Sequence, residues 1–313
     1  MHQILAAVFG PGFFASAQVR AAAAIGAVVA VVSAVTGVFT VMRGQSFGGH
    51  ALGDVSAAGG AGALLAGLSP VTGFVGLGIA GAAVMDLIGV QRLRGRDLAT
   101  GVVLGAAIGL SALLLFLGTT SGSATGATQQ IMFGSIFTVP AGTIWAVTIL
   151  GAIAIAAITA VYRPLLLATV SPDLAAARGV RVRLTGLLFM LALAVSVGLS
   201  SLAIGAILST ALLIGPAAAA LRLTRTVARA VVLACVIGVA ATWLGILLAY
   251  DSYYWGSGQR GLPVSFCVVA VIFAAYLASG LPGARPARRG LAARPATAAG
   301  RGISPMTVAG KER

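Results

Sequence analysis

Nine apolar runs follow one another along the chain, at 21–42, 48–67, 71–90, 98–118, 141–161, 184–200, 202–221, 230–250 and 264–281. None carries the polar stripe of a surface helix, and none alternates as a barrel strand does. Each is close to the ~20 apolar residues that a helix needs to cross a bilayer. The pattern predicts an all-α fold, a polytopic transmembrane helical bundle of eight or nine spans. The 202–221 run holds Gly205, Gly215 and Pro216, so a broken helix and eight spans is the alternative. Residues 1–20 read as an N-terminal interfacial segment, and 21–281 as the membrane domain. Residues 282–313, rich in Pro, Gly, Ala and Arg without an apolar period, read as a disordered basic tail. Phe14-Ala15-Ser16-Ala17 looks like a leader-cleavage pattern, but Met1-His2-Gln3 lacks the Lys or Arg that a leader begins with, which favours the interfacial reading.

Composition narrows the function. Hydrophobic residues make up 59% of the chain and charged ones 8%, against about 25% charged in soluble domains, which excludes a soluble enzyme. A net charge of +14 would suggest nucleic acid if the basic residues lined one face. They fall instead in short gaps between spans and in the tail. With the N-terminus outside, eighteen of the twenty Lys and Arg residues lie inside and only Arg20 and Arg260 lie outside. This argues for the cell membrane, a cytoplasmic C-terminus and no nucleic-acid partner. Cys235 and Cys267 sit in apolar runs, without a metal-binding spacing, and read as small packing residues.

Ionisable groups inside spans carry the chemistry. A charge at the bilayer centre costs about 2.5–3.5 kcal/mol on insertion scales, so it is kept for a reason. Only His50, Asp54 and Asp86 qualify. His50 and Asp54 are four apart and share a helix face. Imidazole and carboxylate both bind divalent first-row metals, and a two-fold dimer would bring two such pairs together. A self-neutralising pair or a proton relay are the alternatives. Asp86 is a candidate further ligand; its place near the inner end of the third span fits better with Arg92 or another loop arginine.

Two further features bear on packing and docking. Gly101, Gly105 and Gly109 form a double GxxxG ridge, suited to a subunit contact or to ordinary packing within the chain. Gly59, Gly60 and Gly62 either pack tightly or line a pathway. Between the fifth and sixth spans, Ser171 is a good N-cap, Pro172 suits the first helical position, and Asp173 favours the dipole. Leu174 follows, and Arg178 and Gly179 suit the C-terminal end. This short helix reads as a docking element or as a shield for the membrane face.

Several motifs in order carry a family resemblance: Val41-Met42-Arg43 before Ser46-Phe47-Gly48-Gly49-His50-Ala51-Leu52-Gly53-Asp54; Asp97–Gly101; Met132-Phe133-Gly134-Ser135-Ile136; Ser171–Val180; and Ala203–Leu208 followed by Leu213-Ile214-Gly215-Pro216-Ala217-Ala218. Over residues 20–281 the chain resembles the membrane subunit of bacterial zinc/manganese/iron(II) ABC importers. The resemblance implies an importer permease that dimerises, binds a separate cytoplasmic ABC ATPase, and receives a divalent ion from an extracytoplasmic receptor. It implies no permanently bound cofactor; the metal is cargo. The family often has its acid before its histidine in the second span; here His50 and Asp54 stand in exchanged order. The Ser171–Gly179 stretch matches the family's ATPase-coupling segment. The only lysine is Lys311 and no G-x-x-x-x-G-K-[ST] loop exists, so nucleotide hydrolysis belongs to another chain. The 251–263 loop, with Tyr253, Tyr254 and Trp255, is expected at the outer mouth. Rival readings are a proton-driven secondary carrier and an ABC permease for a bulkier metal chelate.

Overall fold

The computed structural model describes residues 16–89, 96–120, 131–134, 136–137, 139–140, 142–252 and 261–281. Their regular structure is helical throughout: α1 (Ala17–Met42), α2 (Ser46–Leu65), α3 (Pro70–Ile88), α4 (Arg96–Thr120), α5 (Thr143–Ala160), α6 (Tyr162–Val170), α7 (Pro172–Ala177), α8 (Val182–Ile204), α9 (Ala206–Leu223), α10 (Val227–Ser252) and α11 (Val264–Ala278). The nine apolar runs map onto all of these except α6 and α7. Among the described residues, seven helices are long and apolar enough to cross a membrane by length and composition alone. The other two are α2, diluted by glycine, serine, His50 and Asp54, and α11, which has 15 residues.

Local chemistry sets the boundaries. Ser16 accepts a hydrogen bond from the Val19 amide at 3.5 Å, so α1 begins at Ala17, four residues before the expected edge. Ser69-Pro70 starts α3 and Ser171-Pro172 starts α7 in the same way: a serine caps and proline takes the first turn, where its missing N–H costs nothing. The 202–221 run straddles a break rather than forming one span. Gly205, at φ +94°, ends α8 and opens α9, while Pro216 lies inside α9 without ending it. The interfacial segment up to residue 15, the 253–260 part of the outer loop and the 282–313 tail lie outside the described residues.

Helices α1 and α8 form the centre. In lipid, apolar burial gives helices little reason to associate, so close approach and cross-helix hydrogen bonds matter more. Ser33 meets Ser200 at 2.7 Å and Thr36 meets Ser196 at 2.8 Å, all four fully buried. Thr36 also donates to the Val32 carbonyl at 2.8 Å, which satisfies the hydroxyl inside its own helix. At the end of α1, the Arg43 guanidinium lies 5.2 Å from the centre of the Phe189 ring and donates to Thr169 at 3.4 Å. It thereby ties the α1–α2 turn to α6 and α8.

Glycine decides two close approaches. A Cβ at Gly59 would land on the Gly73 backbone, and one at Gly73 on the Gly59 carbonyl, so α2 and α3 touch backbone to backbone. Gly60 lies beneath the Phe74 ring. Gly59 and Gly60 are therefore packing positions. The second approach joins Gly134, at φ +71°, to Gly205: a Cβ on either would overlap the other segment's backbone. Ser265 of α11 donates to the Phe133 carbonyl at the same point. Two motifs far apart in sequence, 132–136 and 203–208, thus meet at the α8–α9 elbow.

The other glycine ridge behaves oppositely. Helix α4 buries Thr100, Ala107 and Ser111, and Gly101, Gly105 and Gly109 lie on its far side. A Cβ added to any of the three meets nothing within 4 Å. Among the described residues, no packing contact uses this ridge.

The elbow makes a stability prediction. Gly205→Ala adds a Cβ to both a left-handed backbone and a closed contact, and should lower the melting temperature of the detergent-solubilised protein by several degrees. Gly76→Ala, at an exposed position with open space around it, should leave it unchanged. Equal melting of Gly205→Ala and the unsubstituted chain would contradict the elbow's need for glycine.

Candidate functional site

Helix α2 carries the pair. By helical rise, His50 lies ~6 Å and Asp54 ~12 Å along the axis from Ser46. Two glycines, each one residue before a member of the pair, bring α9 against the helix. A Cβ at Gly49 would sit 2.9 Å from Leu213, and one at Gly53 would sit 3.3 Å from the Ser209 hydroxyl. On the other side, Ser111 of α4 donates to the Asp54 carbonyl at 3.3 Å. The backbone of α2 is therefore held firmly where its two polar side chains project.

The structure brings His50 and Asp54 together. His50 Nε2 lies 3.9 Å from Asp54 Oδ2, beyond hydrogen-bonding distance. Two ligands at about 2.1 Å from one tetrahedral cation stand ~3.4 Å apart, so the pair would close slightly on sharing an ion. The side chains keep 38% and 16% of their accessible surface, so neither is sealed in the chain's own core. The other ring nitrogen, Nδ1, lies 3.0 Å from the hydroxyl of Thr210 on α9. Sequence reading missed Thr210, because it is 160 residues away and ordinary in an apolar run.

Asp86 does not join them. Its carboxylate, with little exposure, lies 3.8 Å from Arg183 Nε at the start of α8. Among the described residues, no group of three or more His, Cys, Asp and Glu gathers to hold a metal. Asp86 lies near the C-terminal end of α3 within ion-pair distance of Arg183, a loop arginine in the sequence reading and of the kind expected to meet it, while Arg92 lies outside the described residues.

The short helix after Ser171 forms as its sequence dictates. Ser171 Oγ accepts from the Leu174 amide at 3.3 Å, Pro172 and Asp173 occupy the first turn, Arg178 caps the end, and Gly179 turns out at φ +78°. Ala175 is buried against the body of the protein, while Pro172, Asp173, Leu174 and Arg178 face outward. Leu174 exposes 47% of its surface. At six residues, α7 is shorter than two turns. Cys235 and Cys267 are free thiols in α10 and α11.

Comparison with known proteins agrees with this architecture. The chain is 28% identical over 249 residues to the manganese transport system membrane protein MntC of Listeria monocytogenes, spanning 80% of this chain and 86% of that one. It is 27% identical over 225 residues to the manganese import system permease protein ScaB of Streptococcus parasanguinis, spanning 71% and 78%. Its fold matches a chain of the structure of PsaBC from Streptococcus pneumoniae in complex with Fab, with a TM-score of 0.74 and 24% identity over 87% of this chain and 94% of that one. A putative metal-chelate type ABC transporter in an inward-facing conformation shares the fold at a TM-score of 0.67, with 16% identity over 85% and 87%. The model of the ABC 3 transport family matches residues 16–279, from the cap of α1 to just past the end of α11. The chain belongs to the ABC 3 transport family and is a membrane permease subunit, with ATP hydrolysis on a separate partner.

Proposed function

We propose that this chain is the permease of an ATP-driven importer of bare divalent transition-metal ions, with Mn²⁺ as the first candidate cargo, and that it works as a dimer of identical chains. One observation carries the reading. His50 and Asp54, side chains of types that bind metals, stand side by side on α2, 3.9 Å apart and not sealed in the core. A passing dication would take the imidazole nitrogen and the carboxylate in place of their contact with each other. One chain offers two ligands; a two-fold partner would raise this to four around a shared axis. Few ligands, with water retained, suit a site that must release its ion. The manganese-named relatives favour Mn²⁺, and a mixed nitrogen–oxygen pair accepts it.

The dimer reading draws support from α4. Its outward face carries Gly101, Gly105 and Gly109, which no described residue covers, with the exposed Val102 and Ile108 beside them. Small residues that let backbones approach are what drives helix association in lipid. The positive-inside asymmetry supports a cytoplasmic α7 and C-terminus. There the exposed Leu174 and Asp173 would seat in the ATPase. Closure of the ATPase would move α7, and with it α8 and the elbow at Gly205. A receptor would deliver the ion to the opposite end.

Three outcomes follow. His50→Ala and Asp54→Ala should each abolish ⁵⁴Mn²⁺ uptake in cells lacking other importers, with membrane levels of the protein unchanged; normal uptake in both would remove the site. Leu174→Glu should lose most of the ATPase that co-purifies with the permease, without altering its melting temperature; full recovery would remove the docking role of α7. Uptake should persist when the proton gradient is collapsed at constant ATP and should vanish when the ATPase is inactivated. The reverse pattern would favour a proton-driven carrier.

A further inference from the structure

The side chain that fixes how His50 meets its ion is not on α2. We infer that Thr210 of α9 is a positioning residue: its hydroxyl accepts the Nδ1 proton of His50 and so leaves the Nε2 lone pair directed at the cation beside Asp54. The inference rests on the reading that His50 touches the transported metal.

A neutral imidazole has one N–H and one lone pair, and only the nitrogen with the lone pair can bind a metal. A histidine whose second nitrogen is unbound can adopt either tautomer and turn about its side-chain bonds. Metal-binding histidines are therefore usually anchored through the other nitrogen, commonly by a carboxylate, a carbonyl or water. Here Nδ1 lies 3.0 Å from Thr210 Oγ1, while Nε2 is the nitrogen nearer Asp54, at 3.9 Å. With a metal on Nε2 the roles are set: Nδ1–H donates to the threonine, and Nε2 and the carboxylate form the two-point ligand. Asp54 cannot hold the same ring by its Nε2 proton without giving up the metal-binding nitrogen.

The backbone supports the contact. Gly49 and Gly53 allow α9 to lie against α2 at this level, and Ser209, next to Thr210, turns its hydroxyl back to the Ala206 carbonyl at 2.8 Å. Thr210 lies five residues beyond the Gly205 elbow. The anchor of His50 is thus on a different helix from His50 itself, and a shift of α9 against α2 would turn the ring away from Asp54. Removing an anchor of this kind typically costs about 10–100-fold in metal affinity.

The chain's histidine count makes the test direct. It has two histidines, His2 and His50, so in an H2Q background carbethoxylation by diethylpyrocarbonate reports on His50 alone within this chain. The full permease–ATPase complex, in lipid nanodiscs and carrying no histidine tag, is labelled at constant pH with increasing Mn²⁺, and the His50 peptide is read by mass spectrometry. Mn²⁺ should protect His50. T210V, which keeps the shape and removes the hydroxyl, should raise the half-protecting Mn²⁺ concentration at least tenfold, and T210S should restore it. Protection in T210V at the original concentration would overturn the role of Thr210 while leaving the cation site intact. No protection in the H2Q parent would overturn the cation reading itself. Should T210V fail to accumulate, T210A replaces it under the same criterion. A shift in T210S as large as in T210V would mean that the side chain matters for packing rather than for its hydroxyl, and would also overturn the inference.

Discussion

Helix α2 is held from several sides by backbone-close contacts, and everything proposed for this protein depends on that restraint. Gly59 meets Gly73 of α3, Gly49 and Gly53 admit α9, and the Asp54 carbonyl is tied to Ser111 of α4. Hydrophobic burial could not do this in lipid, where a helix gains as much from acyl chains as from a neighbour. Small residues let dispersion and hydrogen bonds act at short range. The result is a polar pair on a fixed backbone, which a weakly bound ion requires, because a mobile ligand would add the cost of ordering it to each passage.

The same glycine content has two outcomes. In α2 it is consumed inside the chain. In α4 the 101–105–109 ridge faces away from every other described helix. A sequence scan cannot separate these cases, because spacing identifies a ridge without saying which neighbour will lie on it. Both a subunit contact and ordinary packing were open for α4 from sequence, and among the described residues no neighbour lies on its ridge. The distinction matters for function: one ridge sets the geometry of the site, and the other is open to a partner or to lipid.

Much of the fold was legible because the bilayer allows so few solutions. Runs of the right length fixed the helices, and the Ser171-Pro172 cap fixed the start of α7. The elbow at 205 was harder. Gly205, Gly215 and Pro216 all looked like breakers, but only a residue forced into the left-handed region and pressed against Gly134 ends the helix. Pro216, buried against α10, is absorbed. In the site, the four-residue spacing placed His50 and Asp54 on one face, and the 3.9 Å separation agrees with it. Thr210 could not be foreseen: it becomes significant only when α9 folds back past α2. Asp86 was ambiguous from sequence, because depth alone does not reveal that Arg183 will reach it.

The central claim is that a divalent ion binds directly to His50. Electron spin-echo modulation of Mn²⁺ bound to the lipid-embedded permease–ATPase complex tests it most directly, since a directly bonded imidazole nitrogen modulates the echo at its own frequencies. Direct binding gives ¹⁴N modulation that disappears in His50→Ala complexes. Bound Mn²⁺ whose echo carries water protons alone, identically in both proteins, would contradict it.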